Sequence, residues 1–158
     1  MLGVRRNLLL VAALAVVAAV VVGFLVLRSG GEDEPFASYC DAVTDHREDV
    51  GAALSAGPTT GLLRALPSFE ALAKESPEDI KGDWTLVVGR ITALKEALDD
   101  AGVEAATYSF DRPPAGLPVE DKEAIDAAAA RLGAADTATA LAHVEQQARD
   151  VCKTPLSM

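Results

Sequence analysis

The chain has 158 residues, of which 24 are acidic and 14 are basic, giving a formal net charge of −10 at pH 7. Residues 1–31 contain three of the basic residues and none of the acidic ones, so the rest of the chain is more acidic still. This balance argues against nucleic acid as a partner and against adhesion to anionic lipid head groups, since both favour a positively charged surface.

Residues 8–27, LLLVAALAVVAAVVVGFLVL, form a run without a single polar side chain. A helix rises about 1.5 Å per residue, so the run spans about 30 Å, the thickness of the hydrocarbon core of a bilayer. A helix that is apolar on every side cannot be covered by so short a soluble domain. The run therefore predicts a transmembrane signal anchor, preceded by residues 1–7.

Charge on the two sides of this run predicts its orientation. Arg5 and Arg6 precede it, whereas Arg28 follows it alone, with acidic residues at 32–34. Because cationic flanks stay in the cytoplasm, we expect a cytoplasmic N-terminus and an extracytoplasmic C-terminal part. The chain is thus predicted to be a single-pass protein of the cell membrane.

A cleavable signal peptide is the alternative to a retained anchor. The apolar region of a signal peptide is usually about 7–15 residues long and ends at a small-x-small site. Here the run is longer, and residues 27–31 offer no such site. Retention of the anchor is therefore favoured.

Beyond the anchor, the sequence indicates an all-α protein with three further segments. Residues 28–35 read as a linker, residues 36–152 as an extracytoplasmic helical bundle, and residues 153–158 as a flexible tail. Alanine is frequent, and the alternation typical of strands is absent. We expect an antiparallel bundle of four to five helices that follows the N-terminal transmembrane helix.

The first two helices of the bundle are separated by a turn signal. The first is predicted over residues 36–55 and ends at Gly57 and Pro58. The second follows, and Pro67 is expected to kink or split it, because proline removes a backbone donor and clashes with the preceding turn.

The clearest helix of the bundle follows Ser76 and Pro77, a serine cap and a proline at the first helical position. Its apolar residues step by four, three, four, three and four, and Gly102 ends it. The stripe is predicted to be core rather than a coiled-coil seam, since it lasts only about three heptads. Its members are Ile80, Trp84, Val87, Ile91, Leu94 and Leu98.

Residues 103–118 form the one long irregular segment, which contains Tyr108 and Phe110. Long loops are often functional, so these aromatics are a candidate ligand loop. The alternative is that they plug one end of the bundle. Two more helices follow, over residues 119–132 and after a predicted cap at Asp136.

Cys40 and Cys152 are the chain's two cysteines, and they bracket the predicted bundle. An even number of cysteines in an oxidising compartment indicates a disulfide, which requires the last helix to return antiparallel to the first. Free thiols or pairing between molecules are the alternatives.

No catalytic motif and no phosphate-binding glycine loop is present. Asp41, Asp45, His46 and Asp49 cluster on neighbouring helical turns, and His143 lies beside Glu145, but transition-metal sites usually offer more imidazole or thiolate. We interpret these residues as solvated surface. The sequence predicts no enzyme, no cofactor and no metal.

The layout of Cys40, the Asp79-Ile80-Lys81-Gly82-Asp83-Trp84 stretch and the helix from Val144 to Cys152 resembles that of small alanine-rich exported helical proteins of actinobacteria. The resemblance implies an exported location and a helical fold, and it implies no particular activity. The first function hypothesis is an interaction module that binds an envelope or membrane protein. The alternative is an extracytoplasmic domain that binds a small ligand or cofactor at the Tyr108 and Phe110 loop.

The predicted topology is tested with a reporter. A phosphatase fused after Met158 should be active, because Arg5 and Arg6 hold the N-terminus in the cytoplasm. Mass spectrometry of the mature protein should find the original N-terminus. An inactive fusion contradicts the orientation, and a mature protein that begins beyond residue 28 contradicts the retained anchor.

Overall fold

The computed structural model describes residues 36–158, which form five α-helices and no strand. The helices are α1 (Ala37–Leu54), α2 (Pro58–Glu75), α3 (Lys81–Asp100), α4 (Val119–Leu132) and α5 (Ala135–Val151). The prediction of an all-α helical bundle is confirmed for this part of the chain. None of these five helices has the length and apolar character needed to cross a membrane. The predicted cytoplasmic N-terminus 1–7, anchor 8–27 and linker 28–35 lie outside the described residues.

A tight turn joins α1 to α2, the most extensively packed pair of helices. Gly57 adopts φ +99°, a left-handed conformation that glycine reaches without a steric cost, and α2 begins directly after it. A Cβ added to Gly61 would lie 2.8 Å from Cα of Leu54, so glycine permits the close crossing. Pro67 lies inside α2, which continues as one helix through it; of the kink or split predicted there, the split does not occur.

Helix α3 begins later than its sequence signals predict. Its first residue is Lys81, and residues 78–80 form a turn before it. The Ser76 hydroxyl donates to the carbonyl of Ala73 at 2.7 Å. Ser76 therefore closes the end of α2 instead of capping α3.

Helix α3 is the centre of the bundle, because α2, α4 and α5 all pack against it. The six residues of its apolar stripe are between 0% and 6% exposed. The first four, from Ile80 to Ile91, join the main core, and Leu94 and Leu98 join a second cluster with Ile125 and Ala128 of α4. Trp84, at 0% exposure, is the largest side chain in the main core.

Helices α3 and α5 run antiparallel, as their polar contacts demonstrate. Residues later in the sequence of α3 contact residues earlier in the sequence of α5. The three contacts are Asp79–Gln147 at 3.4 Å, Asp83–His143 at 3.2 Å and Arg90–Asp136 at 3.3 Å.

Asp136 does not occupy the cap position predicted for it. Ala134 is the N-cap of α5, and Asp136 lies in the first turn. Its carboxylate accepts the backbone N–H of Thr137 at 2.8 Å. That hydrogen bond, together with the nearby Arg90, lowers the pKa of Asp136. The carboxylate therefore still satisfies a donor at the helix start, but from inside the helix.

The predicted disulfide between Cys40 and Cys152 is confirmed. It joins the first turn of α1 to the residue that follows α5. The bond therefore brings together the two ends of a stretch of chain that contains α2 to α5 and all of α1 except its first three residues.

The segment predicted to be a flexible tail packs on the bundle instead. Leu156 is 7% exposed and belongs to the main core. The backbone of Met158 lies against Gly51 of α1. The physical reason is that burying one leucine removes apolar surface from water and holds the short segment in place.

Trp84→Ala tests the central role of α3. It should lower the free energy of unfolding by about 3–5 kcal/mol, because it opens a cavity in the main core. Urea unfolding of the full chain measures the change. Glu96→Ala, an exposed site on the same helix, is the control and should stay within about 0.5 kcal/mol. A loss below about 1 kcal/mol for Trp84→Ala contradicts the prediction.

Candidate functional site

An open apolar cleft lies where α1, α2, α5 and the C-terminal segment 153–158 meet. Its volume is about 270 Å³. Helices α1 and α5 make little direct contact with each other, and this leaves room for the segment and the cleft. The cleft is lined by Val50 and Leu54 of α1, Leu62 and Phe69 of α2, Leu141 and Glu145 of α5, and Leu156 and Ser157 of the segment.

The chemistry of this cleft suits apolar side chains. Leu54, at 36% exposure, is one of its lining residues, and Met158, at 68%, directly follows Ser157. Glu145 is the only charged residue in the lining, and its carboxylate accepts a hydrogen bond from Arg149 at 2.6 Å. The lining residues include one hydroxyl, that of Ser157, and no histidine, cysteine or lysine. The cleft can therefore hold an apolar group, with one paired carboxylate at its edge.

A buried aromatic group lies behind the cleft. Phe69 packs on Trp84 with their ring centroids 5.6 Å apart. The Trp84 indole N–H donates to the Tyr39 hydroxyl at 3.3 Å, linking α3 to α1. Burial raises the pKa of Tyr39, with the hydrogen bond from Trp84 acting in the opposite direction and the charge of Asp79 adding to the rise. Tyr39 is therefore held in its neutral form.

The structure brings Tyr108 and Phe110 together at another place in the fold. Their rings meet edge to face with centroids 5.0 Å apart. Tyr108 is half-buried against the cluster around Leu94 and Ile125, whereas Phe110 is 38% exposed. A shallow cavity of about 420 Å³ opens nearby, but neither aromatic lines it; its walls are residues 101–104, Thr107 and residues 114–118.

The acidic residues and histidines noted in the sequence do not converge. Asp41, Asp45 and Asp49 are exposed on α1, and His46 is half-buried. His143 contacts Asp83. Within residues 36–158, no three His, Cys, Asp or Glu side chains are grouped so that they could hold a metal ion.

Two residues of the cleft region were missed in the sequence, and each carried a weak signal. Gly51 interrupts a helical stretch, where glycine costs about 0.5–1 kcal/mol relative to alanine, and this indicates close approach of other atoms. Leu156 is an isolated leucine between Pro155 and Ser157. A single apolar residue has no periodicity, so no pattern assigns it to a core.

Comparisons of this chain with protein-family models, with curated proteins and with solved structures found no match.

The buried Tyr39 predicts how stability changes at high pH. The pKa of Tyr39 is higher in the folded protein than in the unfolded chain, where the pKa of tyrosine is about 10. Tyr39 therefore stabilises the fold below about pH 10, and this stabilisation is lost as the pH rises through the folded-state pKa. Tyr39→Phe should cost about 1 kcal/mol at pH 7, because the Trp84 indole N–H loses its acceptor. The difference between the two proteins should shrink above about pH 10.

Urea unfolding at pH 7, 9 and 11 measures this difference. Comparing the two proteins cancels the contributions of lysines such as Lys95 and Lys122, whose pKa values are also raised, mainly by hydrogen bonds to Asp99 and Asp126. A difference that stays constant or grows with pH contradicts the prediction.

Proposed function

We propose that this chain is a membrane-anchored, extracytoplasmic interaction module that binds a protein partner in the apolar cleft. The apolar run at 8–27 and the arginines before it support the anchor and its orientation. The Cys40–Cys152 disulfide supports an extracytoplasmic location, since disulfides persist in oxidising compartments. In this proposal the domain acts by binding and not by catalysis.

The cleft is the observation that carries the proposal. A monomeric soluble domain covers most of its large apolar side chains, and a concave apolar surface left open marks a binding site. Leu54 is exposed within this cleft although neighbouring Val50 is buried. The volume, about 270 Å³, lies just below the range of about 300–1,000 Å³ typical of drug-sized ligands and suits one or two side chains of a partner.

The net charge of the domain indicates which kind of partner it attracts. The full chain has 24 acidic and 14 basic residues, and residues 1–35 account for three of each, which leaves 21 and 11 in residues 36–158. An acidic domain attracts basic partners over distances near the Debye length, about 8 Å at physiological salt. We therefore propose a partner segment with apolar side chains flanked by lysine or arginine.

Site-specific photo-crosslinking in cells tests the proposal. A photo-reactive residue at Glu145, at the edge of the cleft on α5, should give a discrete adduct with one protein. The same residue at Ala127, exposed on α4, should not give that adduct. Adding Leu54→Asp should abolish the Glu145 adduct, because a charge in the cleft opposes apolar binding, while the exposed position tolerates the change.

Three results can contradict the proposal. The first is an identical adduct from Ala127, and the second is an adduct that survives Leu54→Asp. The third is the absence of any adduct from Glu145 in cells where the protein is present in the membrane.

A small ligand at the loop around Tyr108 is the second candidate function. The observation that favours it is the Tyr108 hydroxyl, which is buried without a hydrogen-bond partner among the described residues. Such a group costs about 1–3 kcal/mol unless something satisfies it. A ligand present at 100 times its Kd would add about 2.7 kcal/mol of stability, which a thermal-shift screen detects. Tyr108→Phe should abolish that shift, and a shift that persists in the variant excludes this site.

A further inference from the structure

The C-terminal segment 153–158 turns back onto the bundle immediately after α5. Lys153 adopts φ +54°, a left-handed conformation that is uncommon for a residue with a side chain. Its ammonium group donates to the backbone carbonyl of Asp150 at 2.5 Å. After this turn the segment is irregular rather than helical, and it places Leu156 in the main core.

The end of this segment packs against Gly51 of α1. A Cβ added at Gly51 would lie 2.4 Å from the Met158 carbonyl oxygen and 3.1 Å from the Met158 nitrogen. The first distance is shorter than Cβ atoms ever tolerate, and the atom concerned belongs to the backbone. Backbone-to-backbone contact at a helix surface is therefore possible here only because residue 51 is glycine.

The segment is bound in the manner of a short peptide ligand. Leu156 enters between the helices at 7% exposure, whereas Pro155 and Met158 on either side of it are exposed. Leu156 and Ser157 also form one wall of the cleft, and the cleft continues past them along Leu54, Leu62 and Leu141. One apolar anchor within an otherwise exposed, irregular stretch is a common mode of peptide recognition.

We infer that residues 154–158 are an intramolecular ligand that fills one side of the cleft, and that the partner binds through an extended segment that enters the open part of the cleft and places a leucine-like side chain where Leu156 now lies. This inference rests on the proposed function of the same cleft. It adds the chemistry of the partner and a competition between the partner and the protein's own segment.

The disulfide holds the segment close to the cleft, so the segment competes strongly with a partner. Cys152 is fixed to Cys40, so only the residues after it need to leave the cleft. A segment tethered this closely has an effective concentration in the millimolar range. It rebinds quickly, and it lowers the apparent affinity for a partner by the fraction of time that the cleft is open.

A peptide of residues 153–158, with both ends blocked, tests the competition on the full chain. Trp84, the single tryptophan, reports binding because it packs on Phe69, which lines the cleft. The Leu156→Ala chain should bind this peptide about tenfold more tightly than the unchanged chain, because its own segment competes poorly. A control peptide with alanine in place of its leucine should not bind.

Hydroxyl-radical footprinting of Gly51→Ala provides a second test that does not depend on the stability of Leu156→Ala. The added Cβ should release the segment and speed oxidation of the buried Leu156 side chain by about tenfold or more, with the residues of α3 unchanged. Gly89→Ala is the matched control, since nothing lies within 4 Å of a Cβ there. It should leave oxidation of Leu156 as it was.

The outcomes separate this inference from the proposed function. Equal affinity of the Leu156→Ala chain and the unchanged chain for the peptide, or unchanged oxidation of Leu156 in Gly51→Ala, overturns the intramolecular ligand. A crosslinked partner at Glu145 that Leu54→Asp removes can still be found in that case. Conversely, the segment can open as described while no partner is captured in cells, and that result overturns the proposed function and with it the partner's displacement of the segment.

Discussion

Burial of the apolar stripe of α3 is the interaction on which the rest of the structure depends. Three other helices pack on α3, so its side chains contribute to both apolar clusters. Trp84 also links α3 to α2 and α1, because it packs on Phe69 of α2 and donates its indole N–H to Tyr39 of α1. Helix α5 packs on α3 whereas α1 packs mainly on α2, so α1 and α5 make little contact with each other. The opening at their junction is therefore a direct result of how the other helices cover α3.

The disulfide and the C-terminal segment complete the side of the bundle that helix packing leaves incomplete. Cys40 and Cys152 are 112 residues apart, and closing so long a loop stabilises the folded state by about 4.7 kcal/mol in the chain-entropy model. The segment after Cys152 then adds Leu156 to the main core and places the backbone of Met158 against Gly51 of α1. Marginal stability of about 5–15 kcal/mol is usual for a domain of this size, so the bond is a large share of the total.

The sequence predicts those parts of the fold that depend on repeated or paired features. The spacing from Ile80 to Leu98 repeats across several turns, and all six of its residues are buried. The disulfide follows from two cysteines that flank one domain. The predicted start of α3 was wrong because the Ser76 hydroxyl can either cap α3 or donate to a carbonyl at the end of α2. The sequence alone does not decide between these two partners. The cleft was not predicted because its width depends on the distance between α1 and α5, which no local pattern encodes.

The position of the disulfide also determines how the domain responds to mechanical force. Consider tension applied between residue 36 and residue 158, at the two ends of the described domain. The load passes along the backbone to Cys40, crosses the sulfur–sulfur bond and continues from Cys152, so the chain between the two cysteines carries little of it. Only residues 36–39 and 153–158 can extend under such a pull, by at most about 3.3–3.6 Å per residue. The helices are shielded between the two cysteines, so the load falls on the first turn of α1, which carries Tyr39, and on the segment that carries Leu156.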